Sequence, residues 1–548
     1  MRWAGDLKLL GLAVFAAIGL CLPAATADAG AEGRAAGPSV LHATYASFPD
    51  YMDPQLSYTQ EGWTAMYDTY IPLLTYRHAG GKAGAEVIPG LAKSLPKITH
   101  GGRTYTLFLR HGLRYSNGMA VGASDFEYAV ERMFRLYSGG YPFYTDIVGA
   151  RQFLRKRSRG ISGIVTNERT GRIVIHLTKP SGTFTQELAL MFVAPVPSTT
   201  PFWDASSHPP PATGPYAITR SQPGAGWTYS RNPEWGAHNG KLIPQLPGGH
   251  VDHIDVQVTR NNEKQIDGIE TGTFAWMENP PSAARYAEVL KKYGGTQFRT
   301  YPDLSTYYFW MNTQKPPFDD LEVRRAVNYA VDASALQRIY ADQLSPAHQI
   351  LPPGMPGYRR FDLYPHDMAK ARRLLRQAHP RDRRITVWTD NESPNYEAGL
   401  YYASVLRELG FHARLKTVGA DNYFTVIGNT STPNLDTGWS DWFVDYPHPN
   451  DWFQPLLAGP SILPTNNGNF AQIDVPSLNS RIASLREKPL GQAQEAKYAA
   501  LDRSYMKLAP WVPYGTRIFS TFVSKQVDLS KVVDNPLFGA DLTSFRFK

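Results

Sequence analysis

The 548-residue chain carries 56 Lys and Arg against 48 Asp and Glu, a formal charge of +8, and a single cysteine, Cys21. One cysteine excludes a disulfide scaffold, and outside the N-terminal segment it excludes a thiol nucleophile or thiolate metal site. The length suits two or three domains, and no apolar run of roughly eighteen residues follows the N-terminal one, so no transmembrane helix is expected.

Arg2 and Lys8 flank the apolar run 9–22, and small residues follow up to Ala27-Asp28-Ala29. Residues 1–29 therefore read as a secretory signal peptide cleaved after Ala29, leaving a periplasmic or otherwise extracytoplasmic protein without cysteine. A lipid anchor at Cys21 is the weaker reading, because Leu20 stands where a lipobox needs a small residue. Basic clusters at 151–160 and 372–384 read as solvated faces rather than as a surface for an anionic partner. Export also argues against a nucleic-acid role.

Along the chain, "TYTLFLR" (104–110) alternates like a strand, and "SDFEYAVERMF" starts a helix at Ser124 with Glu127 closing a capping box. "GRIVIHL" (171–177) is another strand. Between 197 and 249 the chain is rich in Pro, Gly and Ser. Its aromatics Phe202, Trp203, Tyr216, Trp227 and Trp235 point to an ordered, packed loop region and not a linker. Helical spacing recurs over 320–340 and 367–378. A further helix has Ser393 as N-cap, Pro394 as first residue and Gly410 as terminator, and "HARLKTV" (412–418) returns as a strand. The pattern is a mixed α/β sheet covered by helices.

Catalytic constellations are missing. The sequence contains no G-x-S-x-G, no H-E-x-x-H and no P-loop. Ser94 and Lys97 match S-x-x-K, but Pro96 breaks the helix that this pairing needs. His250 and His253 lie three apart, which on a strand points them to opposite faces and disfavours a shared metal. No cofactor or metal is expected, although carboxylate pairs that meet only in space stay open.

The densest chemistry is "DWFVDYPHPNDWF" (441–453), with three acids and five large aromatics in thirteen residues. It reads as an aromatic strand end running into a turn, with Pro447 and Pro449 stiffening the backbone on either side of His448.

Ordered segments across most of the chain resemble the extracytoplasmic solute-binding proteins of family 5, the large peptide- and nickel-binding receptors of ABC importers. They are "MDPQL", "PGLAKSLP", "TYTLFLRHGLRYSNG" with "ASDFEYAVERMF", "TGPY" before "RNPEW", "MNTQKPPFDDLEVRRAVNYAVD", "KARRLLRQA", "WFVDYPHP" and "APWVPYGTRIFSTFV". The resemblance implies an α/β, two-lobed periplasmic-binding-protein clamp of the large, peptide-binding type, with an extra domain inserted in lobe I. Lobe I would comprise 38–82, 196–296 and 516–548, the inserted domain 83–195, and lobe II 297–515. It implies a non-enzymatic, monomeric receptor that delivers peptides to an ABC permease. Oligosaccharides or nickel chelates are the alternatives on the same fold, and an exported hydrolase using cleft carboxylates is the alternative of another class.

The same resemblance gives Trp442-Phe443-Val444-Asp445 the role of ammonium anchor. Asp445 would pair with the ligand's α-ammonium, walled by Trp442 and Tyr446, with Phe443, Trp439, Asn391, Gly214 and Tyr216 as further contacts. His448 stands where many relatives carry Asp, so a second acid is expected to be lost there. In dipeptide-binding relatives an arginine before the helix at 395–409 holds the ligand carboxylate. Here "TDNES" (389–393) offers Asp390 and Glu392 instead, which implies peptides longer than dipeptides and a carboxyl end with no cation, unless the Arg359–Arg360 pair supplies one.

Overall fold

The computed structural model of the protein describes residues 38–548, so the signal-peptide and Cys21 assignments lie outside the described residues. The organising element is the strand Trp511–Val523, whose thirteen residues are more than twice the usual strand length. At about 3.3 Å per residue it reaches roughly 40 Å, enough to serve two lobes. Its first part pairs with Ser305–Met311 and Leu344–Pro346. From Ser305–Met311 the sheet continues through Thr437–Phe443 and Arg384–Asp390 to His412–Val418. Its second part pairs with Phe298–Pro302 and Trp276–Met277. From there the sheet runs through Val40–Tyr45, His253–Val258 and Gly226–Arg231 to an outer edge at Tyr216–Gln222.

The chain crosses between the lobes a second time beside this strand. Asp303 N–H donates to the Arg517 carbonyl at 3.1 Å, and Arg517 N–H donates to Ser305 Oγ at 3.0 Å. Two adjacent strands thus form the hinge. The strand Phe298–Pro302, just past the expected boundary at 297, pairs with Ile518–Phe522, the same part of the long strand that Trp276–Met277 flanks.

A separate antiparallel sheet of Lys97–Thr99, Thr104–Phe108, Arg172–His176 and Ile164–Asn167 lies within the expected inserted domain. The helix Ala123–Arg135 buries Phe126, Val130 and Met133 in the same core. It begins before Ser124, because its free amides are capped from a distance. Glu168 accepts from Ala123 and Ser124 N–H at 3.0 and 2.6 Å, and Asp125, not Glu127, accepts from Gly122 N–H at 2.8 Å. No local pattern could reveal Glu168.

The helical stretch 320–340 is two helices, Leu321–Ala330 and Ala333–Ile339. Val331 is extended between them, and Asp332 caps the second by accepting from Ser334 N–H at 2.9 Å. The helix Asn395–Glu408 starts one residue later than expected, with Pro394 at the cap position. Gly410, at φ +91°, lies just beyond its end, where a left-handed residue closes the helix at least cost.

The basic stretches lie on exposed faces, including Arg372, Arg373 and Arg376 of the helix Met368–Ala378. In the Pro-rich segment Tyr216, Trp227 and Trp235 are buried, whereas Phe202 and Trp203 remain exposed. Trp203 is 68% exposed, so the expectation of packing fails there. A buried knot ties the C-terminal segment down: His78 Nδ1 lies 2.8 Å from Asp541 Oδ2 and 3.5 Å from Asp68 Oδ1.

Candidate ligand-binding cleft

Between the lobes lies a cavity of about 830 Å³, within the range of sites that enclose a small ligand. Tyr58, Glu61 and Glu278 line it from lobe I. Tyr307, Asp441, Trp442, Phe443 and Asp445 line it from lobe II, and Arg517 and Phe519 from the hinge strand.

The lobe II wall follows from strand pairing. Tyr307, Thr306 and Ser305 stand opposite Asp441, Trp442 and Phe443. After Phe443 the chain leaves the sheet and turns into the helix Asn450–Leu457. Asp451, fully buried in the first turn of that helix, holds this turn. Its Oδ2 accepts the Asp445 N–H at 2.8 Å and the Trp442 indole N–H at 3.3 Å. His448 points inward and is fully buried, with Nδ1 accepting from Asn450 N–H at 3.0 Å. Burial, and then the nearby Arg486, push its pKa down to about 3, which keeps it neutral. Asp451, three residues on, is buried behind the cavity wall and supports the turn.

On the lobe I side Asp50 orders the facing turn. Its carboxylate accepts from Ser57 Oγ, Thr59 Oγ1 and Tyr58 N–H at 2.7, 3.0 and 2.6 Å. This aims the Tyr58 ring at the cleft, where its hydroxyl donates to Asp445 Oδ2 at 2.9 Å. Burial pushes the Asp445 pKa up to about 7 against the lowering effect of that hydrogen bond. Burial, and then the charge of Asp445, push Asp451 well above the carboxylate range. Burial likewise raises Asp441 to about 7, against the hydrogen bond with Tyr307.

The lobes also meet at the rim away from the hinge. Arg486 Nη1 donates to Asp146 Oδ2 at 2.7 Å, and its other terminal nitrogen lies 3.5 Å from the buried Glu187. Gly182 N–H donates to the Arg486 carbonyl at 2.6 Å. The ring of Phe143 meets that of Tyr446 edge-on at 6.0 Å. The described conformation is therefore a closed one.

The profile of the bacterial extracellular solute-binding proteins, family 5 (middle region), matches residues 86–462. The chain belongs to this family. Among its family 5 relatives is the probable di/tripeptide-binding protein 5 of Pseudomonas aeruginosa (strain UCBPP-PA14), 25% identical over 78% of this chain and 81% of that one. The glutathione-binding protein GsiB of Salmonella paratyphi A is 24% identical over 76% and 78%. Among solved structures, the clavulanic acid biosynthesis oligopeptide binding protein 2 superposes with a TM-score of 0.83 at 24% identity, covering 93% of this chain and 95% of its own. The periplasmic binding protein DppA of Helicobacter pylori, solved in complex with peptide STSA, gives 0.73 at 20%, covering 93% and 98%. The two-lobed fold expected from the sequence is the fold of this family 5 protein.

Three of the expected ligand contacts line the cleft: Asp445, Trp442 and Phe443. The other five do not. Tyr446 is buried against Phe143 beside it. Trp439, also buried, lies parallel to Tyr423 at 5.4 Å between ring centroids. Asn391 is exposed and its Oδ1 accepts from Ala420 N–H at 3.0 Å. Gly214 packs so closely that a Cβ would sit 2.4 Å from the Asp68 carbonyl oxygen. Tyr216 is fully buried and its hydroxyl donates to the Val251 carbonyl at 3.0 Å. Its strand is the outer edge of the lobe I sheet, with four strands between it and the hinge strand, too far to reach the cavity.

Asp390 is also turned away. It accepts from Glu392 N–H and the Asn395 side chain, both at 3.0 Å, and so organises the turn before the helix. Glu392 is exposed, and neither acid lines the cavity. Arg359 and Arg360 are exposed as well. The cation in the cleft is Arg517, from the quoted segment "APWVPYGTRIFSTFV", and the sequence reading passed over it. Tyr58, Glu61, Glu278 and Asp441 were also missed. Only Asp441 had a visible signal, since it opens the acidic aromatic stretch.

Proposed function

We propose that this protein is the extracytoplasmic receptor of an ABC importer, acting as a monomer, and that it closes on peptides longer than dipeptides and passes them to a membrane permease. The observation that carries the reading is Asp445 in the cavity wall between the lobes, its backbone N–H held by Asp451 and its carboxyl accepting from Tyr58. An α-ammonium enclosed between two lobes loses its water and needs a fixed counter-charge. Asp445 supplies one, and the displaced Tyr58 hydroxyl is free to turn to the ligand. Arg517 at the hinge is the partner for a carboxylate, in place of the missing arginine before the helix at 395–408. Family membership and the peptide named for the H. pylori relative support a peptide over a sugar or a metal chelate.

Isothermal titration with trialanine and N-acetyl-trialanine tests the reading. Loss of one partner of a buried charge pair costs about 3–5 kcal/mol, so acetylation should weaken binding by about two orders of magnitude or more. Equal affinities would overturn the role of Asp445. Steady release of cleaved product would overturn the receptor in favour of the hydrolase.

A further inference from the structure

The peptide reading above uses the Asp445 carboxyl on the lobe II wall, and two further carboxyls, those of Glu61 and Glu278, stand on the lobe I wall. Glu61 lies in the first turn of the helix Gln60–Met66, and Glu278 directly follows the strand Trp276–Met277. The backbone of Glu278 is fixed by its N–H donating to the Thr44 carbonyl at 3.0 Å. Its Oε2 is buried and has no hydrogen-bond partner. Among the described residues no basic side chain forms an ion pair with either glutamate. Their titratable neighbours are Asp50, on the Glu61 side, and Tyr45 and Tyr301, which feel the charge of Glu278. Burial raises Glu61, and burial and then the charge of Glu61 raise Glu278 well above the carboxylate range.

Two half-buried acids facing one cavity without a cation are costly, and the unpartnered Oε2 of Glu278 marks where a donor is missing. The approach to it is shaped. Gln60, Glu278 and Phe519 line both the main cavity and a narrow recess that continues from it towards Trp276 and Tyr301. Phe519 stacks on Phe443 at 5.9 Å and meets Tyr301 at a tilt at 5.9 Å, an aromatic row leading from the lobe II wall to Glu278. Such a row suits the methylenes of a long side chain, and its ring faces attract a cationic head. Arg517 does not answer these glutamates, since the acids it acts on are Asp441 and Asp303.

We propose that the ligand carries a second cation besides its α-ammonium, the guanidinium or ammonium of an arginine or lysine side chain seated between Glu61 and Glu278. This rests on the peptide reading and narrows it to basic peptides. Asp445 fixes the ligand's register, and the glutamate pair selects the side chain.

The test is a titration series of trialanine with arginine placed in turn at each position, each paired with its citrulline twin, which keeps the shape and removes the charge. At one position the arginine peptide should bind about 100-fold more tightly than its twin. Glu278→Gln should shrink that ratio to within about threefold, while Asp445→Asn should weaken both twins and leave the ratio standing. Equal binding of the twins at all three positions, with trialanine itself bound, would overturn the proposal and leave the peptide reading intact. Failure of every peptide to bind would overturn both. The wild-type ratio decides the matter even where a variant does not fold.

Discussion

The Tyr58 hydroxyl donates to Asp445 Oδ2 at 2.9 Å across the cleft, joining residues 387 positions apart on opposite lobes. The same contact closes the clamp and occupies the anchor that a ligand ammonium would take. Exchange of the Tyr58 hydroxyl for a ligand ammonium is the first event expected on binding. Tyr58→Phe removes a hydrogen bond to a charged group, worth about 1.5–3 kcal/mol. If the hydroxyl turns to the bound peptide, affinity should fall about 10- to 100-fold. An unchanged Kd by calorimetry would show that Tyr58 serves only the empty form.

Binding should release protons. Asp445 titrates at about 7 when the cleft is empty, because burial raises it. An ammonium in contact favours the ionised form, so the carboxyl loses its proton on binding. Affinity should therefore be highest above pH 7 and fall as the pH drops below it, by up to tenfold per pH unit for one coupled group. Titration enthalpies should differ between buffers of different ionisation heat. Buffer-independent enthalpies at pH 6.5 would contradict this.

The stability of the empty protein should run the other way. Asp303, Asp441 and Asp502 are each raised to about 7 by burial. A group whose folded pKa is raised contributes stability that is fully present below its unfolded pKa and lost as the pH climbs through the folded one. The melting temperature should thus be higher near pH 5 than near pH 8, with the decline centred between about 4 and 7. Asp502 lies outside the cleft and accepts from Ile350 N–H, Leu351 N–H and the Gln349 side chain. Asp502→Asn should flatten part of the decline without changing peptide affinity. A melting temperature that rises from pH 5 to pH 8 would refute the assignment.

Gly182 offers a way to block closure. A Cβ there would meet the Lys488 carbonyl oxygen of the other lobe at 1.8 Å, a clash with backbone that cannot swing aside. Gly182→Val should leave each lobe folded but hold the clamp open. Small-angle scattering of the variant should show the same radius of gyration with and without saturating peptide, where the wild type contracts. Contraction of the variant to the wild-type value would place the closure contacts elsewhere.

Arg486 acts at the same rim through polar contacts. Bound to Asp146 and facing the buried Glu187, it leaves acids uncompensated when removed. Arg486→Met should penalise the closed state by about 3–5 kcal/mol. All peptides should weaken together, with their relative affinities unchanged, because no ligand contact is touched. A change in the ranking of peptides would mean that Arg486 reaches the ligand.

The sequence revealed what depends on neighbours in the chain. The turn at 441–453 was legible because its strand, prolines and acids are contiguous, and Trp442, Phe443 and Asp445 do line the cavity. Asp451 lay in plain sight three residues after His448, but its hold on the Asp445 N–H depends on one helical turn folding the chain back on itself. Glu61, Glu278 and Arg517 come from three separate stretches, and only the hinge strand and the lobe I sheet bring them to one cavity. That Gly214 and Tyr216 do not line the cavity has the converse cause. Their segment matches the family locally, yet Gly214 packs on the Asp68 backbone and strand order carries Tyr216 to the far edge of the sheet. Likewise the cap from Glu168 spans more than forty residues, out of reach of any periodicity.

The strand Trp511–Val523 has a consequence for how the molecule comes apart. Each lobe's sheet takes one portion of it as an inner rung, so disordering either lobe strips half of this strand of its ladder and frays the other half. Two lobes that move as separate bodies about the hinge should therefore not melt as separate bodies. Calorimetry of the empty protein should give a single endotherm for both, in which mobility and cooperativity share one piece of backbone.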